Sequence, residues 1–186
     1  MKGVCLVKSK EITLGAIMVA LTSIILYSTS LIPINTLTIL TVASAIIPVC
    51  IIRSNIKTAT FVYVVSSLIG FFIVPINISI LYAIFFGVYG IIKFLAEKTK
   101  NLTVEYIYKI LFFNIAFCTA FVIFQKVIGI DVLAGIENII SRFININTKA
   151  IAITIFLIIA NIVFLVFDYA LTLIISFYMD RIHNKK

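Results

Sequence analysis

Two long stretches in the first half of the chain contain no charged residue. The first runs from Ile12 to Ile52, and the sequence Leu31-Ile32-Pro33-Ile34-Asn35 interrupts it near its middle. A helix that crosses a bilayer needs roughly 20 apolar residues, so this stretch is long enough for two crossings. Proline removes a backbone donor and asparagine tolerates turn conformations, which favours a tight reversal at the interruption. The pattern therefore predicts a transmembrane hairpin.

A second hairpin and two further helices are predicted from the rest of the chain. Ile73-Val74-Pro75-Ile76-Asn77 interrupts the stretch from Thr58 to Ile92 in the same way, and two later apolar runs are each long enough for one crossing. Pro48 lies inside the second predicted helix and is expected to kink it or end it early. The pattern predicts one membrane domain over residues 1–186, with helices at residues 12–32, 36–52, 58–74, 78–92, 104–124 and 150–179.

The only long loop, residues 125–149, has a pattern of its own. Apolar side chains recur at helical spacing from Val132 to Phe143, on the face opposite Asp131, Glu137 and Arg142. This spacing predicts a short amphipathic helix. Such a helix would either lie on the outer membrane surface or cover a cavity, and the sequence leaves both interpretations open.

The composition is that of an integral membrane protein. Of the 186 residues, 63% are hydrophobic and 12% are charged, and the mean hydropathy is +1.25. Uniformly apolar segments of helical length exclude an outer-membrane barrel, whose strands show short alternating patterns instead. The predicted fold class is therefore an all-α bundle of six helices in a lipid bilayer.

The basic residues predict the orientation of the bundle. The net charge is +8, but the positive residues lie in short clusters between apolar runs, which argues against nucleic-acid binding. With both termini inside, twelve basic residues, among them Lys93 and Lys109, belong to inner segments, and three to outer ones: Lys126, Arg142 and Lys149. The positive-inside rule then predicts cytoplasmic N- and C-termini. Heavy use of Ile, Lys and Asn is typical of an AT-rich bacterial genome, so the predicted location is a bacterial cytoplasmic membrane.

Residues that carry catalysis are nearly absent. The only histidine, His183, lies in a charged tail, and the three cysteines have no paired spacing. The sequence contains no cluster of metal-ligating residues and no glycine-rich phosphate loop. We expect no enzyme activity, no cofactor and no metal.

Polar residues inside the apolar runs offer a better indication of function, because an unpaired polar group in hydrocarbon is costly and normally faces protein or water. Predicted helix 5 carries three such residues near one face: Asn114, Cys118 and Gln125. Predicted helix 6 carries three in a seven-residue repeat: Thr154, Asn161 and Asp168. Both faces are predicted to look into the bundle.

Each of these residues has a structural and a functional interpretation. Asp168 is the only intramembrane carboxylate, and it would either pair with a neighbouring hydroxyl or lysine or act in function. Asn114 and Asn161 would either join helices by hydrogen bonds or contact a ligand. Predicted helix 4 adds an aromatic stripe that would serve in packing or as a ligand wall: Tyr82, Phe85, Phe86 and Tyr89. Asn77 and Tyr82 lie at the depth of a pocket that would open to the outside.

Predicted helix 1 carries a face of small residues near its cytoplasmic end. Ala16 and Ala20 are four residues apart and would let another helix approach closely. This face is a candidate surface for docking a partner.

The segment Ala16-Ile17-Met18-Val19-Ala20, the six-helix layout, and the run Ile46-Ile47-Pro48 ahead of Arg53 and Lys57 resemble the S component of energy-coupling factor transporters. These are small bacterial importers of vitamins and micronutrients. The resemblance implies that Ala16 and Ala20 dock on a transmembrane T component and that two ATPase subunits supply energy. It also implies a substrate pocket among helices 4 to 6, which we place at Asn77, Tyr82, Cys118, Gln125 and Asn161.

One part of the chain departs from that family. The first external loop, often a substrate lid in the family, is reduced here to Pro33-Ile34-Asn35, so the loop over residues 125–149 would have to provide any lid. The leading hypothesis is a substrate-capturing subunit of an importer for a vitamin-like small molecule. The alternative is a bacterial envelope scaffold or assembly protein that does not transport. An outward pocket lined by Gln125 and Asn161 favours capture, whereas a tightly filled bundle favours the scaffold.

Overall fold

The computed structural model describes residues 9–99, 101–126, 129, 135 and 149–183, and every regular element in these ranges is helical. Six helices of the described ranges are long and apolar enough to cross a membrane. This confirms the prediction of a multi-pass helical membrane protein. The helices are α1 (Ser9–Leu31), α2 (Thr36–Arg53), α3 (Ile56–Ile73), α4 (Ile76–Glu97), α5 (Leu102–Lys126) and α6 (Lys149–His183). Apart from Gly135, the predicted amphipathic helix from Val132 to Phe143 lies outside the described residues.

Both proline-asparagine interruptions are turns between consecutive helices. Pro33–Asn35 forms a single 3₁₀ turn between α1 and α2. At the second interruption α3 ends at Ile73, Val74 is extended, and the carbonyl of Pro75 accepts the first hydrogen bonds of α4. Proline suits this position because the first turn of a helix leaves its backbone donors unpaired. The two hairpins predicted from the apolar runs are therefore present.

Helix α4 is longer than the sequence predicted. The predicted helix ended at residue 92, because Lys93 and the charged residues after it were assigned to a surface loop, whereas α4 continues to Glu97. Lys93 is 1% exposed and lies inside the bundle. A lysine can occupy such a position only when its charge is paired, and the ion pairs described below meet this condition.

Of the two effects expected of Pro48, an early end of its helix is wrong, since α2 runs through Pro48 to Arg53, and a kink stays a prediction. Pro48 is buried where α2 crosses Gly90 of α4, and a methyl group on Gly90 would lie only 2.7 Å from the Cδ atom of Pro48. The helices approach this closely because glycine has no side chain. The proline ring is therefore part of the packing between α2 and α4.

Three apolar clusters form the interior, and α2 contributes to all of them. Met18, Ile47 and Val62 represent the cluster between α1, α2 and α3. Leu26, Leu40 and Tyr82 represent the one between α1, α2 and α4. The third joins α2 and α4 to α6: Ala45, Tyr89, Phe164 and Leu171. Helices α2 and α4 lie at the centre, and the outer helix α6 has the smallest buried share of the six.

A π-helical turn interrupts α4 at Tyr82–Phe86, and the sequence did not predict it. The wider turn changes which backbone groups are paired. The hydroxyl of Tyr63 on α3 donates to the carbonyl oxygen of Ala83 at 2.8 Å, and the Tyr63 ring lies against Gly87. A tyrosine on the neighbouring helix thus supplies the donor at this turn.

The close approach at Gly90 gives a stability prediction. We expect Gly90→Ala to lower the free energy of unfolding by about 1–3 kcal/mol, because the added methyl overlaps the rigid ring of Pro48. Gly70→Ala is the matched control, since its nearest neighbour, the Cδ1 atom of Leu26, would be at 3.6 Å, an ordinary contact. Denaturant unfolding of both variants in detergent measures the difference. Equal stability of the two variants would show that the α2–α4 contact is not as close as described.

Candidate functional site

Charged and hydroxyl side chains from α4, α5 and α6 meet inside the bundle, near the end where α4 and α5 are joined. We call this group the Asp168 cluster. It consists of Tyr89, Lys93 and Glu97 from α4, Glu105 and Lys109 from α5, and Asp168 and Thr172 from α6. Each of these helices contributes at least one charge, so the cluster links all three.

Asp168 accepts hydrogen bonds at both carboxylate oxygens. Its Oδ1 atom accepts from the Nζ atom of Lys93 at 2.5 Å and from the hydroxyl of Tyr89 at 2.6 Å. Its Oδ2 atom accepts from the Nζ atom of Lys109 at 3.1 Å. The side chains of the two lysines are 1% and 3% exposed and that of Asp168 is 10% exposed. One carboxylate therefore bridges α4 and α5 from α6.

Each lysine also has an acidic partner on its own helix. The Nζ atom of Lys93 is 2.9 Å from Glu97, and that of Lys109 is 2.5 Å from Glu105. Lys93 donates in addition to the hydroxyl of Thr172 at 2.8 Å. The side chain of Glu97 is 42% exposed, so the one carboxylate in excess of the two lysines reaches solvent. The buried part of the cluster is thus electrically balanced, as a low-dielectric interior requires.

The cluster changes how two basic residues are understood. Lys93 and Lys109 were counted among the twelve residues of the inner segments, but the structure buries both in the bundle. Without these two lysines, ten basic residues belong to inner segments and three to outer ones. The direction of the bias is unchanged, and the cytoplasmic location of the termini stays a prediction.

Sequence analysis offered a hydroxyl or lysine partner for Asp168 but did not identify Tyr89, Lys93 and Lys109. Hydropathy assigns any lysine near the end of an apolar run to the membrane surface. The spacing nevertheless carried a signal, because Lys93 and Glu97, like Glu105 and Lys109, are four residues apart and so lie on one helix face. Two such pairs on consecutive helices, together with a lone carboxylate on a later one, would have indicated a shared site.

The aromatic stripe of α4 packs against phenylalanines of α5 and α6. Phe85 lies at the centre, with its ring centroid 6.3 Å from that of Phe112 and 5.3 Å from that of Phe167. Phe113 and Phe164 stack across α5 and α6 with centroids 4.6 Å apart. These rings occupy the space between the three helices next to the Asp168 cluster. In this part of the bundle the stripe serves in packing, the first of its two interpretations.

The two asparagines predicted to face the interior lie together. Asn114 on α5 donates from its Nδ2 atom to the Oδ1 atom of Asn161 on α6 at 3.2 Å. Each amide also donates to the carbonyl four residues earlier in its own helix. The pair forms an interhelical hydrogen bond, and contact with a ligand stays a prediction.

The other predicted pocket residues lie on different surfaces. Tyr82 is fully buried, and its hydroxyl is 3.0 Å from the hydroxyl of Ser66 on α3, so it does not join Asn161. Asn77 and Cys118 are exposed, and Gln125 is partly buried near the end of α5. Thr154, predicted to face inward on α6, is exposed. No described contact joins two of the five predicted pocket residues, and Asn161 contacts Asn114 instead.

Ala16 and Ala20 are exposed and line an open groove between α1 and α3, which we call the α1–α3 groove. The groove has a volume of about 1170 Å³. Its lining includes Gly15, Ala16, Val19, Ala20, Phe61 and Val65, with Glu11 and Lys57 at one end. A methyl group on Gly15 would lie 3.3 Å from the Cγ2 atom of Thr58, so the two helices nearly touch beside the groove. Small side chains on α1 thus leave room for another apolar segment.

The chain matches no protein-family model, no curated protein and no solved structure.

The Asp168 cluster gives a second stability prediction. Asp168→Asn removes the charge that bridges two buried lysines, and we expect the free energy of unfolding to fall by roughly 3 kcal/mol. This is the lower end of the usual cost of breaking a buried pair, because each lysine keeps a glutamate partner. Asp180→Asn is the matched control on the exposed end of α6 and should change the value by less than about 0.5 kcal/mol.

Denaturant unfolding in detergent measures both variants. A loss that is no larger for Asp168→Asn than for Asp180→Asn would contradict the buried, bridging position of Asp168.

Proposed function

We propose that the chain is the substrate-capturing membrane subunit of an energy-coupling-factor-type importer for a vitamin-like small molecule. The observation that carries this proposal is the α1–α3 groove, because the two alanines of the Ala16–Ala20 segment lie exposed on its wall. In the family that the sequence resembles, this alanine face docks on the T component. The geometry supports such a role, since the face is open rather than buried in the chain's own interior.

The lining of the groove suits a transmembrane helix. Its small residues allow the close backbone approach on which helix association in lipid depends. Phe61 and Val65 on α3 offer a larger apolar wall opposite Ala16 and Ala20. Glu11 and Lys57 at one end provide one charge of each sign for polar contacts of the partner near the membrane surface. The partner subunits supply the energy, because the chain has no glycine-rich phosphate loop.

The position of the Asp168 cluster supports entry of the substrate from the outer side. Ion pairs hold α4, α5 and α6 together at the end where α4 and α5 are joined, which is the cytoplasmic end in the predicted orientation. At the opposite end α4 begins near Asn77 and α5 ends near Gln125. In this proposal the substrate is captured from outside, between the outer ends of α4 to α6, and the partly buried Gln125 and Asn161 are its candidate polar contacts.

A scaffold or assembly protein of the bacterial envelope is the second candidate, and one observation favours it. Rings of Phe85, Phe113, Phe164 and Phe167 fill the space between α4, α5 and α6. A filled interior suits a protein that binds only other proteins. In that case the α1–α3 groove would dock a different membrane protein.

Docking through the groove is tested by filling it. We expect Ala16→Leu with Ala20→Leu to abolish association with the partner, because two isobutyl groups occupy the space that the partner helix needs. The variant should stay folded in the membrane, since both positions are exposed. Ala120→Leu with Ala170→Leu adds the same bulk on α5 and α6 and should leave association unchanged. Pull-down of co-expressed subunits measures the effect, and unaltered association of the Ala16 and Ala20 variant would remove the docking claim.

The proteins and small molecules that co-purify with the chain distinguish capture from a scaffold role. We expect mild purification from the native membrane to recover two ATPases, a T-type subunit and a bound small molecule, identified by mass spectrometry. The Ala16→Leu and Ala20→Leu variant, purified in parallel, should lose the protein partners. Recovery of cell-wall or division proteins instead would contradict import and support the scaffold.

A further inference from the structure

A second cavity lies on the side of α1 opposite to the α1–α3 groove. It has a volume of about 340 Å³, and we call it the Lys10–Arg53 cleft. Its polar lining comes from Lys10 and Thr13 on α1 and from Arg53 at the end of α2, and its apolar lining from Leu14, Ile17 and Met18. The predicted docking of a partner at Ala16 and Ala20 does not use this cleft.

The cleft is polar at one end and apolar at the other. Lys10 lies in the first turn of α1, and Arg53 is the last residue of α2, so both cations lie at the same end of the bundle. Ile17 and Met18 follow two turns later on α1. At 1.5 Å of rise per residue they lie about 10 Å deeper in the membrane than Lys10. This difference in depth matches the distance between lipid head groups and acyl chains.

Arg53 is held in place by α6. Its Nε atom donates to the hydroxyl of Tyr178, and its guanidinium carbon lies 5.4 Å from the centroid of the Tyr178 ring. A guanidinium has five N–H donors in a fixed plane, and this bond uses one. The remaining four donors suit the paired oxygens of a phosphate.

The charge of the cleft is not balanced within the described part of the chain. The ion pairs formed by the described residues all belong to Lys93 and Lys109, so neither Lys10 nor Arg53 pairs with a described carboxylate. Glu11, the neighbouring acid, lines the groove on the other side of α1. The cleft therefore presents two positive charges at the membrane surface, whereas the α1–α3 groove carries one charge of each sign.

We propose that the Lys10–Arg53 cleft binds one anionic phospholipid. The lipid phosphate lies between Lys10 and Arg53, and the upper part of an acyl chain lies on Leu14, Ile17 and Met18. The apolar floor distinguishes this ligand from free phosphate, which would leave that floor uncovered. Basic pockets between helix ends are a recurrent form of lipid recognition. Because Arg53 also contacts Tyr178, the bound lipid is linked to α6 through the side chain of Arg53.

Native mass spectrometry of the delipidated full chain in detergent tests this site, with phosphatidylglycerol, phosphatidylcholine and inorganic phosphate as probes. We expect one phosphatidylglycerol to bind about tenfold more tightly than phosphatidylcholine. Lys10→Gln with Arg53→Gln should lose about tenfold in affinity for phosphatidylglycerol. The two cations contribute similar factors to this loss, because each attracts the anionic lipid at the membrane surface. Lys57→Gln with Lys98→Gln removes two exposed positive charges elsewhere at the same end and should keep the preference.

Equal losses in the two double variants, or no loss in the first, would overturn the site. Displacement of the lipid by millimolar inorganic phosphate would assign the cations to a soluble anion and overturn the lipid assignment. If the first double variant does not fold, the affinity of Lys10→Gln alone is measured. This variant should fold, because Lys10 is exposed on the first turn of α1. A loss of about threefold in affinity supports the proposal and an unchanged affinity overturns it.

Discussion

A carboxylate inside a membrane bundle has to be paired, and Asp168 is paired with two lysines at once. Removing an ion from water costs several kcal/mol, so Asp168, Lys93 and Lys109 can be buried only together. This requirement fixes the rotation of α6, since a turn of one residue would move Asp168 by about 100° and away from both lysines. The constraint is important for α6, which has the smallest buried share of the six spans. The ion pairs specify one arrangement of the last three helices more than they add stability.

The two ends of these helices are held by contacts of different strength. At the α4–α5 end, charges bridge all three helices. Further along, α5 and α6 are joined by the amides of Asn114 and Asn161 and by stacked rings. Hydrogen bonds between membrane helices average only about 0.6 kcal/mol. Separation of the helices at the end away from the charges therefore costs less, which suits capture of a molecule there.

Helix α1 carries two surfaces of unlike chemistry. On one side small residues form the wall of the α1–α3 groove, and on the other side Lys10 and Arg53 border a smaller cleft. The first surface suits an apolar helix and the second suits an anion at the membrane surface. A partner and a lipid could thus occupy α1 at the same time without competing for the same side chains.

The sequence was sufficient for the helices and insufficient for the contacts between them. The apolar runs and the Pro-Ile-Asn turns predicted six spans, because crossing a bilayer imposes a length that hydropathy detects. Lys93 was misplaced because hydropathy considers a residue with its neighbours only, while its partner Asp168 is 75 residues away. Tyr63 contacts the π-helical turn at Tyr82–Phe86, and Gly90 packs on Pro48. Both contacts join different helices, and no local sequence pattern reports them.

The candidate site was predicted in part. The seven-residue spacing correctly pointed Asn161 and Asp168 inward. The predicted inward face of α5 was right for Asn114 and wrong for Cys118, which is exposed. Thr154 has the same spacing but is exposed, since it lies in the first part of α6, where that helix has few buried neighbours. Asn77 and Tyr82 were assigned to the predicted pocket by depth, and depth does not determine which helix a side chain faces. Tyr82, which faces α3, shows this.

A double-mutant cycle between Lys93 and Asp168 measures whether these two buried charges interact. The free energies of unfolding of Lys93→Met, Asp168→Asn and the double variant are compared with that of the wild type in the same detergent. We expect the double variant to lose less than the sum of the two single losses, by about 1 kcal/mol or more, because each single change leaves a buried charge without its partner. Losses that add within about 0.3 kcal/mol would show that the two charges do not interact and would contradict the paired arrangement of α4, α5 and α6.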